Sequence, residues 1–423
     1  MFKKVLSAAC SVLFLPSLAT ASTLQLLSTF STQRGGQDAQ SDLVAGRNGV
    51  LYGTTTAGGT HGSGTVFELV PPSAAHPAWR RFTLFDFDEN TVGFGPAGGA
   101  LLLDKQGNLY GAVSLQLNGN GQVFKLSRPT AGSPGWTFST LYSFTGQADG
   151  AWPNASLIMD AAGNIYGTAK GGGTRNYGLT YELSPPAPGK TAWTQTVLYA
   201  FNTQFDGWNP LTGVVFDTTG NLVGTTANGG NINAQCSSGC GTVFRLIPPP
   251  PRQYTWTKQT LYQFSGGADG AIPESSVILD RNGVIYGTTT TGGGPGACPQ
   301  TSGCGTVFSL AQSQGSFAET ILHAFQAPSD GAFPLGHLVL DASGNLLGTT
   351  ALGGATNQGT IFRLSPGGAS SPETVLYDFA NSTVAQPWSA LLPIGAGRYL
   401  GTTSNGPAGS KCGGCGGIFE ITP

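Results

Sequence analysis

Thr23–Phe30 reads TLQLLSTF. Its last four residues, Leu27-Ser28-Thr29-Phe30, repeat a phrase that returns at Leu84–Phe87, Leu141–Phe144, Leu198–Phe201, Leu261–Phe264, Leu322–Phe325 and Leu376–Phe379. At those later places the phrase closes a unit of four short apolar segments. At Thr23 it stands alone, ahead of the first unit. The question is what a stray fourth segment is doing at the front of the array.

The unit is clearest in ASLIMDAAGN, IYGTAKGGG, YGLTYELSPP and TAWTQTVLYAF, which follow one another from Ala155. Each segment has strand length, is rich in aromatic and β-branched residues, and is bounded by Gly, Pro, Asn or Asp. The first two are joined by D-x-x-G-N turns, in which Asp104, Asp160, Asp217, Asp280 and Asp341 precede Gly107, Gly163, Gly220, Gly283 and Gly344. Asp opens a type I turn by accepting backbone N–H groups, and Gly takes the left-handed position that closes it. The third segment carries an aromatic at one fixed slot: Phe67, Phe124, Tyr181, Phe244, Phe308, Phe362 and Phe419. A ring at the same slot of every unit reads as a packing wedge between neighbours.

The third segment occurs seven times, but only six units carry a fourth, because the last unit ends with its third segment, at Ile421. The stray segment supplies the missing one. An all-β fold follows: a seven-bladed β-propeller of four-stranded antiparallel blades, closed when the N-terminal strand completes the last blade. Radial closure leaves only short sheet edges. Spacings of about 53 to 63 residues between equivalent glycines suit propeller blades. An open solenoid would need no such offset. Residues 22–423 read as one domain.

Composition agrees. Among 423 residues, 9% are charged while 66 are Gly and 27 are Pro, a turn-rich balance; 39% hydrophobic and 10% aromatic content argue against disorder. The net charge of −2 offers no basic stripe for nucleic acid. Residues 1–21, MFKKVLSAACSVLFLPSLATA, have the basic start, apolar stretch and A-x-A end of a signal peptide, with an apolar run too short to span a bilayer. No anchor is evident at the other end, so the expected location is secreted or periplasmic, the expected state a monomer. Beyond Cys10, the cysteines fall into the close pairs Cys236/Cys240, Cys298/Cys304 and Cys412/Cys415, which read as disulfides in an oxidising compartment.

The motif run NLYGTT, GG, GTVF, LY-F, DG-P and D-GN resembles the GloVer tandem repeat of secreted bacterial proteins, over essentially all of the mature chain. The resemblance implies an extracytoplasmic protein and no particular activity. Family members carry C-terminal sorting anchors, from which this sequence departs.

In a propeller, the loops entering each innermost strand share a face with the loops joining strands two and three. The entering loops include Asp149-Gly-Ala-Trp152-Pro, Asp206-Gly-Trp208-Asn-Pro, Asp269-Gly-Ala-Ile-Pro and Asp330-Gly-Ala-Phe333-Pro, and Trp388 follows Pro387. Carboxylates and aromatic platforms around a channel suit sugars. The candidate binding residues are therefore Asp149, Trp152, Asp206, Trp208, Asp269, Asp330, Phe333 and Trp388. The competing reading is structural: Asp starts a turn, Gly permits it, Pro fixes it and the ring packs on a neighbour.

No nucleophile, base and orienter set stands out, no G-x-S-x-G elbow is present, and His61, His76, His323 and His337 share no repeat slot. No catalytic residue, metal or cofactor is expected. The leading expectation is a non-catalytic propeller that binds a glycan, cell-wall or protein partner through its loop-rich face. The alternatives are a hydrolase, lactonase or lyase using axial carboxylates, and a purely structural repeat protein.

Overall fold

A computed structural model describes residues 22–30, 36–96, 98–115, 119–154, 156–294, 298, 303–366, 373–406 and 415–423. The expected leader and Cys412 lie outside them. Seven antiparallel sheets form the ring. The first blade runs Val44–Ala45, Leu51–Thr55, Thr65–Val70 and Arg80–Asp86 from the axis outward, and the pattern recurs in blades two to six. In blade three an added strand, Ala151–Pro153, pairs with Ile165–Gly171.

Blade seven comprises Leu392–Gly395, Arg398–Thr403, Gly417–Thr422 and, as its outer strand, Thr23–Thr29. The terminal strands pair from Thr23 with Thr422 to Thr29 with Gly417. Every outer strand carries a register shift where it passes the third strand, at Val66/Phe67 in blade one, and Thr23–Thr29 has its own at Leu26/Ser28. A bulge strengthens local twist. The N-terminal strand thus repeats even the irregularity of the strands it replaces.

The recurring aromatics close the ring one blade at a time. The Phe that ends each outer strand meets the third-strand ring of the next blade edge to face: Phe87 with Phe124, Phe144 with Tyr181, Phe201 with Phe244, Phe264 with Phe308, Phe325 with Phe362 and Phe379 with Phe419. The seventh pair is Phe30 with Phe67, at 5.3 Å. Phe30 belongs to blade seven and Phe67 to blade one. All of these rings are fully buried, so the wedge both fills the interface and fixes its angle.

The phrase Gly-Thr-Thr in the second strand has three separate duties. A Cβ on Gly287 would lie 2.5 Å from Phe308 Cζ, so only glycine leaves room for the ring above it. The first Thr reaches the next blade: Thr288 Oγ1 donates to Pro334 O at 2.9 Å and Thr349 Oγ1 to Ser389 O at 2.9 Å. The second pairs with a buried Thr of strand three, as in Thr289–Thr306 at 2.8 Å and Thr350–Thr360 at 2.9 Å. Sheet, neighbour and core are each served by one residue.

Candidate functional site

The D-x-x-G-N carboxylates are turn fixtures. Asp104 Oδ1 accepts from Asn108 N at 2.8 Å, and its Oδ2 accepts from Asn108 Nδ2 at 2.7 Å and from the Tyr110 hydroxyl at 3.0 Å. Burial pushes Asp104 up, but these hydrogen bonds outweigh it and hold the carboxyl below its usual range.

The entering-loop acids point between blades. Asp149 accepts from the Tyr142 hydroxyl at 3.0 Å and Thr145 N at 2.9 Å. Asp206 meets the Tyr199 hydroxyl at 2.7 Å and Lys258 Nζ at 2.8 Å. Asp269 takes the Tyr262 hydroxyl at 3.1 Å and Ser265 N at 2.9 Å. Asp330 lies 3.0 Å from His323 Nε2 and accepts from Gln326 N and Ala327 N. In each case the partner stands seven residues earlier on the preceding outer strand. None of the four acids lines the axial cavity.

The residue before the loop proline has a left-handed backbone in several blades: φ is +57° at Trp152, +65° at Asn209, +59° at Ile272, +56° at Phe333 and +56° at Gln386. That conformation is strained for such residues. Its reward is an N–H aimed at the preceding blade: Trp152 N donates to Asn120 O at 2.8 Å, Ile272 N to Cys240 O at 2.9 Å and Phe333 N to Cys304 O at 2.9 Å. Asp38 occupies the same slot in blade one and donates to Cys415 O at 3.3 Å, across the seam of the ring.

Trp152 and Trp208 sit at the rim of the loop-rich face, their indole N–H groups donating to Gly119 O and Ser238 O. Trp208 also packs on Tyr177, with ring centroids 5.8 Å apart. Phe333 packs against the core between blades five and six. The disulfides Cys236–Cys240 and Cys298–Cys304 are formed, which excludes the bridging zinc that four thiolates from adjacent blades could otherwise hold. Cys236 borders a second cleft on this face.

Trp388 has a different place. It lines a cavity of about 300 Å³ with Gln40, Asn154, Glu274, His337 and Asp42. These side chains come from the few residues that follow the loop proline, or Ala39 at its slot in blade one, where the chain runs into the innermost strand toward the axis. Trp388 is 36% exposed, enough to present a ring face. Ser156, Ser276, Leu211 and Leu335 complete much of the wall.

The cavity holds an ion pair that exists only in the closed ring. His337 Nε2 of blade six lies 2.7 Å from Asp42 Oδ2 of blade one, and Asp42 Oδ1 accepts from Ala390 N of blade seven at 2.5 Å. Burial pushes Asp42 up, but the charge and hydrogen bond of His337, with the Ala390 N–H, hold it below its ordinary value. Burial pushes His337 down, and Asp42 more than reverses that. Glu274 is pushed up by burial, against the opposing influence of the Thr290 hydroxyl and the Lys170 charge. A carboxylate paired with an imidazole, and a carboxyl whose pKa burial raises, therefore share one cavity with amides and hydroxyls.

Sequence reasoning found Trp388 and missed Asp42, His337, Glu274, Gln40 and Asn154. Their signal was a break in the repeat: these slots change from blade to blade while the apolar residue after them persists, as does the Pro before them outside blade one, where Ala39 stands. Among the described residues no group of three or more His, Cys, Asp or Glu is arranged to hold a metal ion. No helix among them is long and apolar enough to cross a membrane.

Solved structures of low sequence identity are similar to the chain. A proposed 6-phosphogluconolactonase from Bacteroides uniformis ATCC 8492 is 15% identical, with a TM-score of 0.51 over 86% of this chain and 91% of that one. A polysaccharide lyase of family PL25, an ulvan lyase, is 11% identical, with a TM-score of 0.47 over 92% and 94%. A luciferin-regenerating enzyme is 13% identical, with a TM-score of 0.44 over 77% and 91%. Such identities speak for the fold alone. None of the curated proteins matches the chain in sequence. The sequence profile of the Gloeobacter/Verrucomicrobia repeat matches residues 83–299 and 296–423. The chain belongs to the Gloeobacter/Verrucomicrobia repeat family.

Proposed function

We propose that this protein is an extracytoplasmic binding propeller that takes a hydroxyl-rich, glycan-like ligand at the axial mouth of its loop-rich face. The observation that carries the reading is the axial cavity, where the Trp388 ring stands among Gln40, Asn154, Ser156, Glu274 and Ser276. Sugars offer an apolar ring face and a belt of hydroxyls that both donate and accept. A half-exposed indole, amides, serines and a carboxyl supply the complement. The imidazole of His337 in the cavity wall is already paired with Asp42, which leaves little attraction for a polyanion. Trp152 and Trp208 at the rim extend the platform for a longer chain, and the formed disulfides support an oxidising compartment.

The test is a glycan array of the mature chain followed by calorimetry on the best ligand. Trp388→Ala and Glu274→Gln are each expected to lower affinity at least about tenfold, the loss of one well-placed contact. Unchanged affinity in both variants would remove the ligand from the axis.

A second reading has its own observation. An imidazole paired with a carboxylate, in one cavity with a carboxyl whose pKa burial raises, is also the equipment of general acid–base chemistry. Prolonged incubation of the bound glycan separates the two: intact sugar supports binding, and cleavage that disappears in Glu274→Gln supports catalysis.

A further inference from the structure

One outer-strand position faces each junction between blades, and its occupant changes around the ring: Leu24, Arg81, Phe138, Gln195, Lys258, Glu319 and Glu373. It lies in register with the last leucine of the third strand, or Ile421 in blade seven, as Lys258 does with Leu246 and Glu319 with Leu310. Between blades three and four the occupant complements the loop acid, since Lys258 Nζ donates to Asp206 Oδ1 at 2.8 Å. Between blades four and five a carboxyl stands where the ammonium would be.

There the Tyr262 hydroxyl sits 3.1 Å from Asp269 Oδ2 and 3.0 Å from Glu319 Oε2. A phenol has one hydrogen to donate. It can satisfy one carboxylate, so the other carboxyl must bring its own hydrogen and donate to the phenol oxygen. Asp269 Oδ2 also accepts from Ser265 N at 2.9 Å, which suits an anion. Glu319 has no such backbone donor among the described residues, and its Oε1, like Asp269 Oδ1, is buried without a hydrogen bond. The nearby cations are engaged elsewhere: Lys258 is held by Asp206, and Arg245, which lies over the Phe317 ring, is 3.3 Å from Asp217.

We propose that the junction of blades four and five is a proton-operated switch, in which Glu319 holds a hydrogen that it donates to Tyr262 and whose loss sets Glu319 against Asp269. The consequence falls on the loop-rich face. The loop carrying Asp269 contributes Gly266, Gly267, Ala271 and Ile272 to a cleft of about 340 Å³, whose far wall includes Gln235 and Cys236. Repulsion at its base loosens that loop and reshapes the cleft. Burial and the Asp269 charge push Glu319 up to about 7, against the opposing hydrogen bond of Tyr262, so the switch operates near neutrality.

The test follows the carboxylic-acid C=O band of the mature chain by infrared difference spectroscopy from about pH 5 to about pH 8. Hydrogen exchange of residues 265–272, corrected for intrinsic rates, is measured at both ends. Burial also pushes Glu373 up to about 7, so the band is expected to lose one carboxyl more near pH 7 in the wild type than in Glu319→Gln, and exchange of the loop to quicken at least about fivefold at the higher pH. Glu319→Gln keeps a donor for the phenol oxygen and is expected to flatten that dependence, while Tyr262→Phe, an independent variant that breaks the bridge, is expected to loosen the loop at both pH values. Titration of Glu319 in the ordinary glutamate range, or a loop whose pH response survives in Glu319→Gln, would overturn the proposal.

Discussion

His337 Nε2 and Asp42 Oδ2 lie 2.7 Å apart although 295 residues separate them, and the bond joins blade six to blade one across the axis. Blade seven lies between them and contributes the Ala390 N–H. The pair is therefore a product of ring closure, and it stands in the cavity proposed to take the ligand.

Its pH dependence has two limbs. Asp42 is held below 3.8, so its contribution is present above that value and is lost as pH falls through the lowered pKa. His337 is held above 6.5, so its contribution is complete below 6.5 and is lost as pH rises through the raised value. Asp42→Asn is expected to cost about 1–3 kcal/mol near pH 5, less than a fully dry pair because His337 is partly exposed. The wild-type minus variant difference, from chemical denaturation, should narrow toward both pH extremes.

The glycine of Gly-Thr-Thr gives a second prediction. Gly287→Ala forces a methyl group against Phe308 Cζ and is expected to destabilise by about 1–3 kcal/mol. Gly135→Ala, where an added Cβ meets nothing within 4 Å, should change stability little. Equal effects at the two positions in thermal melts would separate the repeat phrase from the wedge above it.

The wedge gives a third. Phe264 is fully buried and meets Phe308 at 5.1 Å. Phe264→Ala is expected to cost about 3–5 kcal/mol in denaturant unfolding, as for other large buried rings. Tyr254, which is 92% exposed, is the control, and Tyr254→Ala should be neutral.

Most of the fold was legible in the sequence because a propeller repeats each decision. Turn residues, wedge ring and Gly-Thr-Thr recur often enough to separate rule from accident, and the unpaired Thr23–Phe30 segment declared the closure. The site was less legible for the same reason. Asp149, Asp206, Asp269 and Asp330 recur at one slot and looked like a functional ring, yet each is held by a side chain seven residues earlier on the same chain. Asp42, Glu274 and His337 occur once each and converge only when the blades are set around the axis. Repetition marks the scaffold, and departures from it mark the cavity.

Ring closure requires Thr23–Thr29 to be the outer strand of blade seven, where Gln25 faces Glu420. The direct measurement is peptide mapping by mass spectrometry of a Gln25→Cys/Glu420→Cys double variant after mild oxidation. An intramolecular disulfide between the two introduced thiols, formed in the folded chain and raising its melting temperature, is the predicted result. A folded chain in which the two thiols stay free, or in which the thiol introduced at Gln25 links instead to one introduced at Arg80 on the outer strand of blade one, would contradict it.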